Sequence, residues 1–347
     1  MKYFVRANTC TGEVNFLSNN LNGIEKIYLI QSEFEFLVST FIMRLCAHVK
    51  LQNDEIEMIY NPFIMNNLDG FVIRSKKIAV LNSGLMTANN RCILIDIDSC
   101  IKKKRYAYNL ACASDYKAEL LQKKQCIYMV YEGAKKIHDE WENLYIENMN
   151  FDMLNGFCND FINGFNVEKT NKTSSRCDRF FGGAFHSANI NYIDDLTKDI
   201  NKRYFIKGRP GTGKSTFLKK LANHFENSGY NVEVYHCGFD SNSLDMVVCR
   251  ELSVCVFDST SPHEKFPSLT NDSILDFYKN SGLEGVDEKL EAKLNDVKLR
   301  YGKMMSLSKI YMEEIHDLYK KFESKTVADT DYQLLNNIVY EILYEII

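Results

Sequence analysis

The stretch that decides the fold is Arg203–Ser215, which reads RYFIKGRPGTGKS. Its last eight residues, from Gly208 onward, match the pattern G-x-x-x-x-G-K-[ST] in full. Glycines let the backbone turn so that consecutive N–H groups point inward at phosphate oxygens. A strand pattern precedes the loop, and Thr216–Asn227 carries apolar residues at helical spacing behind it. The segment therefore predicts a phosphate-binding loop in an α/β domain with a parallel sheet.

The residue types in this loop have separate roles in holding a nucleoside triphosphate. We expect the ammonium group of Lys214 to contact the β- and γ-phosphates and the hydroxyl group of Ser215 to ligate Mg²⁺. The positive end of the helix that starts near Gly213 adds to the same attraction. The predicted cofactors are ATP and Mg²⁺. The predicted nucleotide-binding residues are Gly208, Arg209, Pro210, Gly211, Thr212, Gly213, Lys214, Ser215 and Thr216.

A second strand pattern supplies the acid that such a site requires. Val254–Phe257 is a short apolar run typical of a strand covered on both faces, and Asp258 follows it directly. We expect Asp258 to hold Mg²⁺ through water and to act with Lys214 in catalysis. Ser259 stands where many motor-type ATPases have a glutamate that orients the attacking water, so fast hydrolysis is not implied. The candidates for orienting water are Glu264, Glu251, Asp240 and His263.

The chain contains one pattern twice. At an offset of 176 residues, 19 of the 70 positions from Val14 to Ser83 are identical to their counterparts without a gap. Further along, Ile137–Asp139 matches Ile315–Asp317 at an offset of 178. This self-similarity predicts an internal duplication. It divides the chain into domains at residues 1–169 and 179–347.

Only the second copy keeps the chemistry. The counterparts of Gly208, Gly211, Gly213, Lys214 and Asp258 are Ser32, Glu35, Leu37, Val38 and Asn82. A bulky leucine and acidic side chains would block and repel a triphosphate. We therefore predict that residues 1–169 form a degenerate domain without a phosphate loop. The polar stretch Thr170–Asp178 is the predicted linker to the second domain.

Long helical patterns follow each predicted sheet. They span about Asp115–Glu147 and Asp287–Phe322, and we expect these helices to pack across the two copies. The apolar run Ile338–Ile347 is short and is interrupted by two glutamates, so it predicts a docking helix and not a membrane span.

Composition restricts the possible partners and the compartment. The chain has 347 residues, 45% of them hydrophobic and 25% charged, which is ordinary for a soluble globular protein. A formal net charge of −4 provides no basic field for a nucleic-acid backbone. The eleven cysteines are odd in number and form no CxxC pair, which argues against a disulfide framework and a zinc site. A reducing cytoplasm is the predicted location, with no membrane partner.

Other polar residues allow two interpretations. His236 and Asp240 follow the predicted strand Val232–His236, at the edge where α/β folds bind ligands. They would contact a second substrate or the metal, or His236 would make a structural hydrogen bond. Arg250 has the charge to neutralise a phosphoryl group, as has Arg209, but the equivalent position in the first copy also holds an arginine, Arg74. That repetition favours a structural role for Arg250.

Four segments together resemble a poorly characterised bacterial family of duplicated P-loop ATPases. They are Tyr204–Ser215, Val232–Asp240, Ser243–Met246 and Phe257–Glu264, and Ala134–Trp141 resembles the helical region of the first copy in that family. The resemblance implies an ATP-binding protein of the P-loop fold and supplies no substrate. Both copies in that family commonly carry a phosphate loop, and this chain departs from the pattern at Ser32–Val38.

Three functions are compatible with these patterns. The leading hypothesis is an ATPase whose binding or slow hydrolysis of ATP rearranges the two copies or a protein partner. The second is a small-molecule kinase, with His236, Asp240 or Arg250 in an acceptor pocket. The third is a regulator in which nucleotide only stabilises the fold.

Overall fold

The computed structural model describes residues 1–52, 54–165, 167–185 and 189–347. The strands of the N-terminal half (residues 1–169) are β1 Lys2–Tyr3, β2 Arg6–Thr9, β3 Gly12–Asn15, β4 Lys26–Gln31, β5 Glu57–Tyr60, β6 Leu68–Ile73, β7 Ile78–Asn82 and β8 Cys92–Asp96. Its helices are α1 Leu17–Asn20, α2 Glu35–Lys50, α3 Tyr106–Ile146 and α4 Phe151–Asn163.

The remainder of the chain repeats this succession with two additional short helices before the long helix. Its strands are β9 Arg176–Arg179, β10 Gly182–Ala184, β11 Asn189–Asn191, β12 Lys202–Lys207, β13 Val232–His236, β14 Leu244–Cys249, β15 Val254–Asp258 and β16 Ser273–Asp276. Its helices are α5 Ile193–Thr197, α6 Lys214–Asn227, α7 Phe277–Asn280, α8 Val286–Lys289, α9 Glu291–Val327 and α10 Tyr332–Ile346.

Two six-stranded mixed sheets share one strand order. The N-terminal sheet runs β1-β5-β6-β7-β4-β8, and the C-terminal sheet runs β9-β13-β14-β15-β12-β16. Each sheet has three parallel and two antiparallel neighbouring pairs. The pairing register also repeats at 176 residues, because Tyr28 lies beside Val80 and Tyr204 lies beside Val256.

The predicted parallel sheet is confirmed for three of the five neighbouring pairs in the C-terminal sheet, and β14 is the exception. This strand runs antiparallel to both of its neighbours, β13 and β15. Residues 237–243 and 250–253 make the two connections, and parallel strands need a crossover of about a dozen residues or more. Such short connections therefore reverse the chain. The predicted strands Val232–His236 and Val254–Phe257 are confirmed, and the predicted helix Thr216–Asn227 begins two residues earlier, at Lys214.

The two sheets face each other across a shared core, and helices cover their outer faces. Strand β15 shows the arrangement, because successive side chains of a strand point to opposite faces. Cys255 and Phe257 pack in the central core between the sheets, while Val254 and Val256 pack under α6. The prediction that this strand is covered on both faces is confirmed.

The last helix of each half packs on the sheet of the other half. In α4, Leu154, Cys158 and Ile162 join the apolar cluster of α6 and the C-terminal sheet. In α10, Leu335 and Val339 join the cluster of α2 and the N-terminal sheet. The prediction of a docking helix is thus confirmed. The helix docks on the N-terminal half, although the sequence repeat assigns it to the C-terminal half.

The long helices α3 and α9 pack against each other, as predicted. Lys123 pairs with Glu314 at 2.7 Å, and Arg300 pairs with Glu140 at 2.6 Å. Because residue numbers rise along α3 as they fall along α9, the two helices are antiparallel. The pair shares the apolar cluster of α2 and the N-terminal sheet through Tyr116, Ile127 and Ile315.

The domain boundary predicted between residues 169 and 179 agrees with the sequence repeat, but the packing of the chain does not divide there. Arg176–Asp178, which the sequence assigned to a linker, form most of β9 and pair with β13 in parallel. The linker prediction is wrong there because the strand completes the edge of the C-terminal sheet. Within the described ranges, none of the helices combines the length and apolar character that a membrane span requires.

Candidate functional site

The glycine loop joins β12 to α6 in a conformation that its residue types require. Gly211 and Gly213 have φ values of +77° and +74°, which side chains rarely tolerate. A Cβ atom on Gly208 would lie 2.7 Å from the Oγ1 atom of Thr212, so this position is also closed to larger residues. The loop is therefore a narrow turn that opens at the N-terminus of α6.

Three predicted side chains meet at the end of this loop. The Lys214 Nζ atom donates to the Arg209 carbonyl oxygen at 2.9 Å and lies 3.5 Å from the Asp258 carboxylate. Ser215 Oγ accepts a hydrogen bond of 2.9 Å from the Leu244 N–H group. Asp258 is brought to the loop by the parallel pairing of β15 with β12, in which it lies beside Ile206.

A second carboxylate, Asp245, lies at the same site and was not among the predicted site residues. Burial and the nearby negative charge of Asp258 raise the pKa of Asp245 to about 8. Asp245 lies on β14, the neighbour of the strand that carries Asp258. It reaches the site through strand pairing, so the sequence immediately around it does not identify it. The only signal in the sequence was its identity with Asp69 in the repeat.

The whole loop lines a cavity of about 970 Å³, which extends beyond the loop. Its walls include the N-terminal half, because α3 contributes Lys135, His138, Trp141 and Glu142. The contact is close, since a Cβ atom on Gly211 would lie 2.8 Å from the Glu142 carbonyl oxygen. We call this space the loop cavity.

Three residues of α3 bring possible metal ligands together. Ligand atoms of His138, Asp139 and Glu142 all lie within 4.8 Å of one another. Burial lowers the pKa of His138, against the raising effect of Glu142. Asp139 already pairs with Lys135, which also lies 3.7 Å from Asp240. The Lys135 ammonium group thus neutralises part of the negative charge that would attract a metal cation to these ligands.

Two of the four candidates for orienting water lie at the loop cavity, and two do not. Glu251 lies in the turn before β15, at the opposite end of the sheet from the loop, and accepts from the Asn231 N–H group. Glu264 is exposed and pairs with Lys207 at 3.2 Å. The other two, Asp240 and His263, line the loop cavity.

His263 is half-buried, and the Nδ1 atom of its ring is inaccessible to solvent. Burial lowers the pKa of its imidazole, and the Asp258 charge opposes this effect. Its Nδ1 atom has no hydrogen-bond partner among the described residues. His263 belongs to the segment Ser259–Phe266, and its neighbours Thr260 and Pro262 also line the cavity.

The remaining polar candidates are held by contacts of their own. His236 bonds to Asp178 at 2.7 Å and to the Ser241 carbonyl oxygen at 2.6 Å, which supports the structural interpretation. Arg250 pairs with Glu233 at 2.6 Å, just as Arg74 pairs with Glu57 at 2.9 Å. Both arginines therefore have the same structural role.

Arg209 points away from the loop. Its guanidinium group pairs with Asp287 at 2.7 Å, and the Tyr145 hydroxyl group donates to the same carboxylate at 2.8 Å. Arg209 thus links the loop to α3 instead of facing the position of a phosphate.

The counterpart of the loop in the N-terminal half is closed. Helix α2 begins at Glu35, three residues before the position equivalent to Lys214, so a helical turn stands where the other half has its glycines. Non-glycine residues favour the right-handed helix over positive φ. The N–H groups of Leu37 and Val38 both donate to the Phe34 carbonyl oxygen and are not available to a phosphate group.

Comparison of the chain with known protein families, with curated proteins and with solved structures finds no match.

Proposed function

We propose that this protein is an internally duplicated P-loop ATPase that binds ATP with Mg²⁺ in its C-terminal half only. The observation that carries the proposal is the loop Gly208–Ser215, where positive-φ glycines precede Lys214 and the helix N-terminus. The common strand order of the two sheets supports duplication. The closed first turn of α2 supports a single nucleotide per chain.

Ser215 and Asp258 are the residues that would hold Mg²⁺ in this proposal. Both line the loop cavity, and oxygen ligands suit this cation. Bound Mg²⁺ would neutralise charge on the β- and γ-phosphate oxygens. Lys214 would exchange its bond to the Arg209 carbonyl oxygen for one to phosphate. His263, with its unpartnered ring nitrogen, is the residue best placed to orient water.

The proposed outcome of ATP binding is a shift of α3 relative to the C-terminal half. Glu142 touches the loop at Gly211, and Arg209 is linked through Asp287 to Tyr145. Slow hydrolysis would then change the packing of the halves or the exposure of the helix pair to a protein partner. All eleven cysteines are free, which supports the proposed location in a reducing cytoplasm.

A nucleotide-binding comparison tests the proposal. We expect a fluorescent ATP analogue to bind the wild-type protein in the presence of Mg²⁺ and to bind Lys214→Ala at least about tenfold more weakly, since a charge-assisted contact is removed. Ser215→Ala should lose the Mg²⁺ dependence. Ser39→Ala, at the equivalent position of the other half, is the matched control and should behave as wild type. Equal affinity of wild type and Lys214→Ala would exclude the proposed site.

A second candidate function, phosphoryl transfer to a small molecule, is favoured by one observation. The loop cavity continues past the glycine loop to Ala7, Tyr131 and Met312, well beyond the predicted phosphate contacts. Phosphate release measured with and without Asp258→Asn separates the hypotheses. Sustained release that Asp258→Asn abolishes indicates an ATPase, and release seen only with an acceptor indicates a kinase. Binding without release in any condition indicates a regulator.

A further inference from the structure

In the N-terminal half, the space equivalent to part of the loop cavity is occupied by two cations of the chain itself. Arg6 donates to Asp69 through two hydrogen bonds of 2.6 and 2.9 Å. The Lys124 Nζ atom lies 3.5 Å from the centroid of the Phe63 ring and 3.3 Å from the Glu13 carboxylate. A guanidinium and an ammonium group are thus held there by carboxylates and an aromatic face.

The C-terminal half keeps the aspartate and the phenylalanine that hold these cations but lacks the cations. At the offset of 176, Asp69 corresponds to Asp245, Phe63 to Phe239 and Arg6 to Gly182, whereas Glu13 corresponds to Asn189. At the offset of 178 that applies to the long helices, Lys124 corresponds to Gly302. Gly182 lines the loop cavity, while Gly302 is exposed on another face of α9 and its neighbour Tyr301 lines the cavity.

The equivalence of Arg6 and Gly182 is structural as well as sequential. Arg6 pairs with Asn15 in the hairpin of β2 and β3, and Gly182 pairs with Asn191 in the hairpin of β10 and β11. Both partners are again 176 residues apart. For the helices, the buried positions Tyr116 and Ala134 of α3 correspond to the buried Leu294 and Met312 of α9 at the offset of 178.

Phe239 lies in a cluster of aromatic rings within the loop cavity. Its ring centroid is 5.5 Å from that of Tyr131, 6.0 Å from that of Tyr301 and 6.1 Å from that of His138. All four side chains line the cavity, together with the carboxylates Asp240 and Asp245. Clustered aromatic faces next to carboxylates attract organic cations more strongly than neutral groups.

We propose that this part of the loop cavity, which we call the cation compartment, binds a second small molecule that carries an amine or guanidinium group. The ligand cation would lie against Phe239 and Tyr301 and close to Asp245, whose ionised form it would favour, as Lys124 lies over Phe63 and Arg6 pairs with Asp69 in the N-terminal half. This inference rests on the proposed function, because it assigns the chemical class of the ligand that meets the nucleotide in one cavity.

The first test compares charged probes with neutral molecules of the same shape. Isothermal titration of the full chain, with and without a non-hydrolysable ATP analogue, would use butylamine and butylguanidine against butanol and butylurea. We expect each charged probe to bind about tenfold or more tightly than its neutral counterpart. A lysine-containing tripeptide distinguishes a peptide side chain from a free amine, and tighter binding of the tripeptide would assign the compartment to a protein partner and overturn the small-molecule proposal.

Removal of the aromatic rings of the compartment permits a sharper test, because Phe239 and Tyr301 both line the cavity. We expect Tyr301→Leu to weaken binding of the amine probe about tenfold, since it removes one of the two rings against which the cation would lie. Tyr344→Leu changes a tyrosine that is 88% exposed on α10 and is the matched control, which should bind the probe as wild type does. Phe239→Leu removes the aromatic face and should weaken the amine alone.

The outcomes separate this inference from the proposed function. Unchanged amine affinity in Tyr301→Leu and Phe239→Leu, or equal affinity for charged and neutral probes, would overturn the cation compartment while nucleotide binding stands. Amine binding by a wild-type protein that fails to bind the ATP analogue would instead overturn the proposed function.

Discussion

Gly211 illustrates how much a single position of the loop depends on having no side chain. Its φ is +77°, and an added Cβ atom would lie 2.8 Å from the Glu142 carbonyl oxygen. We expect Gly211→Ala to lower the free energy of unfolding by about 1–3 kcal/mol, because it combines backbone strain with a clash. Nucleotide affinity should fall with it. Chemical denaturation and titration with the ATP analogue measure the two effects.

Gly156 provides the control for that substitution. It lies inside α4, and a Cβ atom there meets nothing within 4 Å. Gly156→Ala should therefore stabilise the protein by about 0.5–1 kcal/mol, since alanine favours a helix over glycine. If both variants had the same stability, the special role of Gly211 would be refuted.

Glu57 provides a residue-scale prediction about pH. Burial alone would raise its pKa, but Arg179 and Arg74 lower the pKa from 4.5 to about 2. A carboxylate with a depressed pKa stabilises the folded state above pH 4.5, and this stabilisation is lost as the pH falls through about 2. The contribution of Glu57 is about 3 kcal/mol.

Urea unfolding at steps between pH 5 and pH 2 measures this contribution. We expect Glu57→Gln to be less stable than wild type at pH 7, because the buried Arg179 loses one of its two carboxylate partners and keeps only Glu233 at 3.5 Å. We also expect a shallower loss of its stability on acidification. Identical pH slopes for both proteins would contradict the assigned role of Glu57.

At the residue scale, the sequence indicated which side chains lie together where they belong to one local pattern. Lys214 and Ser215 follow glycines within one motif, and Asp258 ends an apolar run. Asp245 and Glu142 were missed, because one joins the site through strand pairing and the other through a helix from the opposite half. Nothing in their local sequence indicates those contacts.

At the scale of elements, α4 and α10 each pack on the sheet of the opposite half, and we call them the exchanged helices. Their packing leads to a prediction that two independent domains would not give. Leu335 of α10 is fully buried in the cluster of α2 and the N-terminal sheet. Leu335→Ala should lower the free energy of unfolding by about 2–5 kcal/mol through the cavity it creates. Tyr344→Ala on the same helix changes a residue that is 88% exposed and should have almost no effect.

Thermal and urea denaturation of the two variants measure this difference. The decisive readout is a local probe in the N-terminal sheet, such as amide exchange of β4 and β7, which should lose protection in Leu335→Ala. Loss of protection confined to the C-terminal sheet would show that α10 does not support the opposite half in solution.

At the scale of the whole molecule, the halves depend on each other for their cores. Residues 1–169 alone would lack α10 and α9, and residues 179–347 alone would lack α4 and most of β9. We expect neither fragment to unfold cooperatively or to show native near-ultraviolet circular dichroism. Exposed central-core residues such as Phe257 and Leu29 should make both fragments bind a hydrophobic dye.

Cooperative unfolding of either isolated fragment would contradict this dependence. Co-expression of residues 1–169 with residues 170–347 is the matched control, because together they contain both exchanged helices and the complete strands of both sheets. We expect the co-expressed pair to bind the ATP analogue when the proposed function holds, and to regain a sharp unfolding transition in any case.

The amino-acid sequence by itself determined the properties that depend on residues close along the chain. These include the strand, loop and helix around Lys214, the acid at Asp258, the long helices, and the repeat with its offset. Dihedral preference, apolar periodicity and turn chemistry act over a few residues, so they can be read from the chain directly.

Only the tertiary structure decided the direction of β14, the exchange of α4 with α10 and the membership of Asp245 and α3 in the loop cavity. These features depend on which apolar faces meet, and an apolar stripe on a helix does not specify its partner. Long-range burial chooses among surfaces that are equivalent in local sequence, because the hydrophobic effect is non-directional and roughly proportional to area.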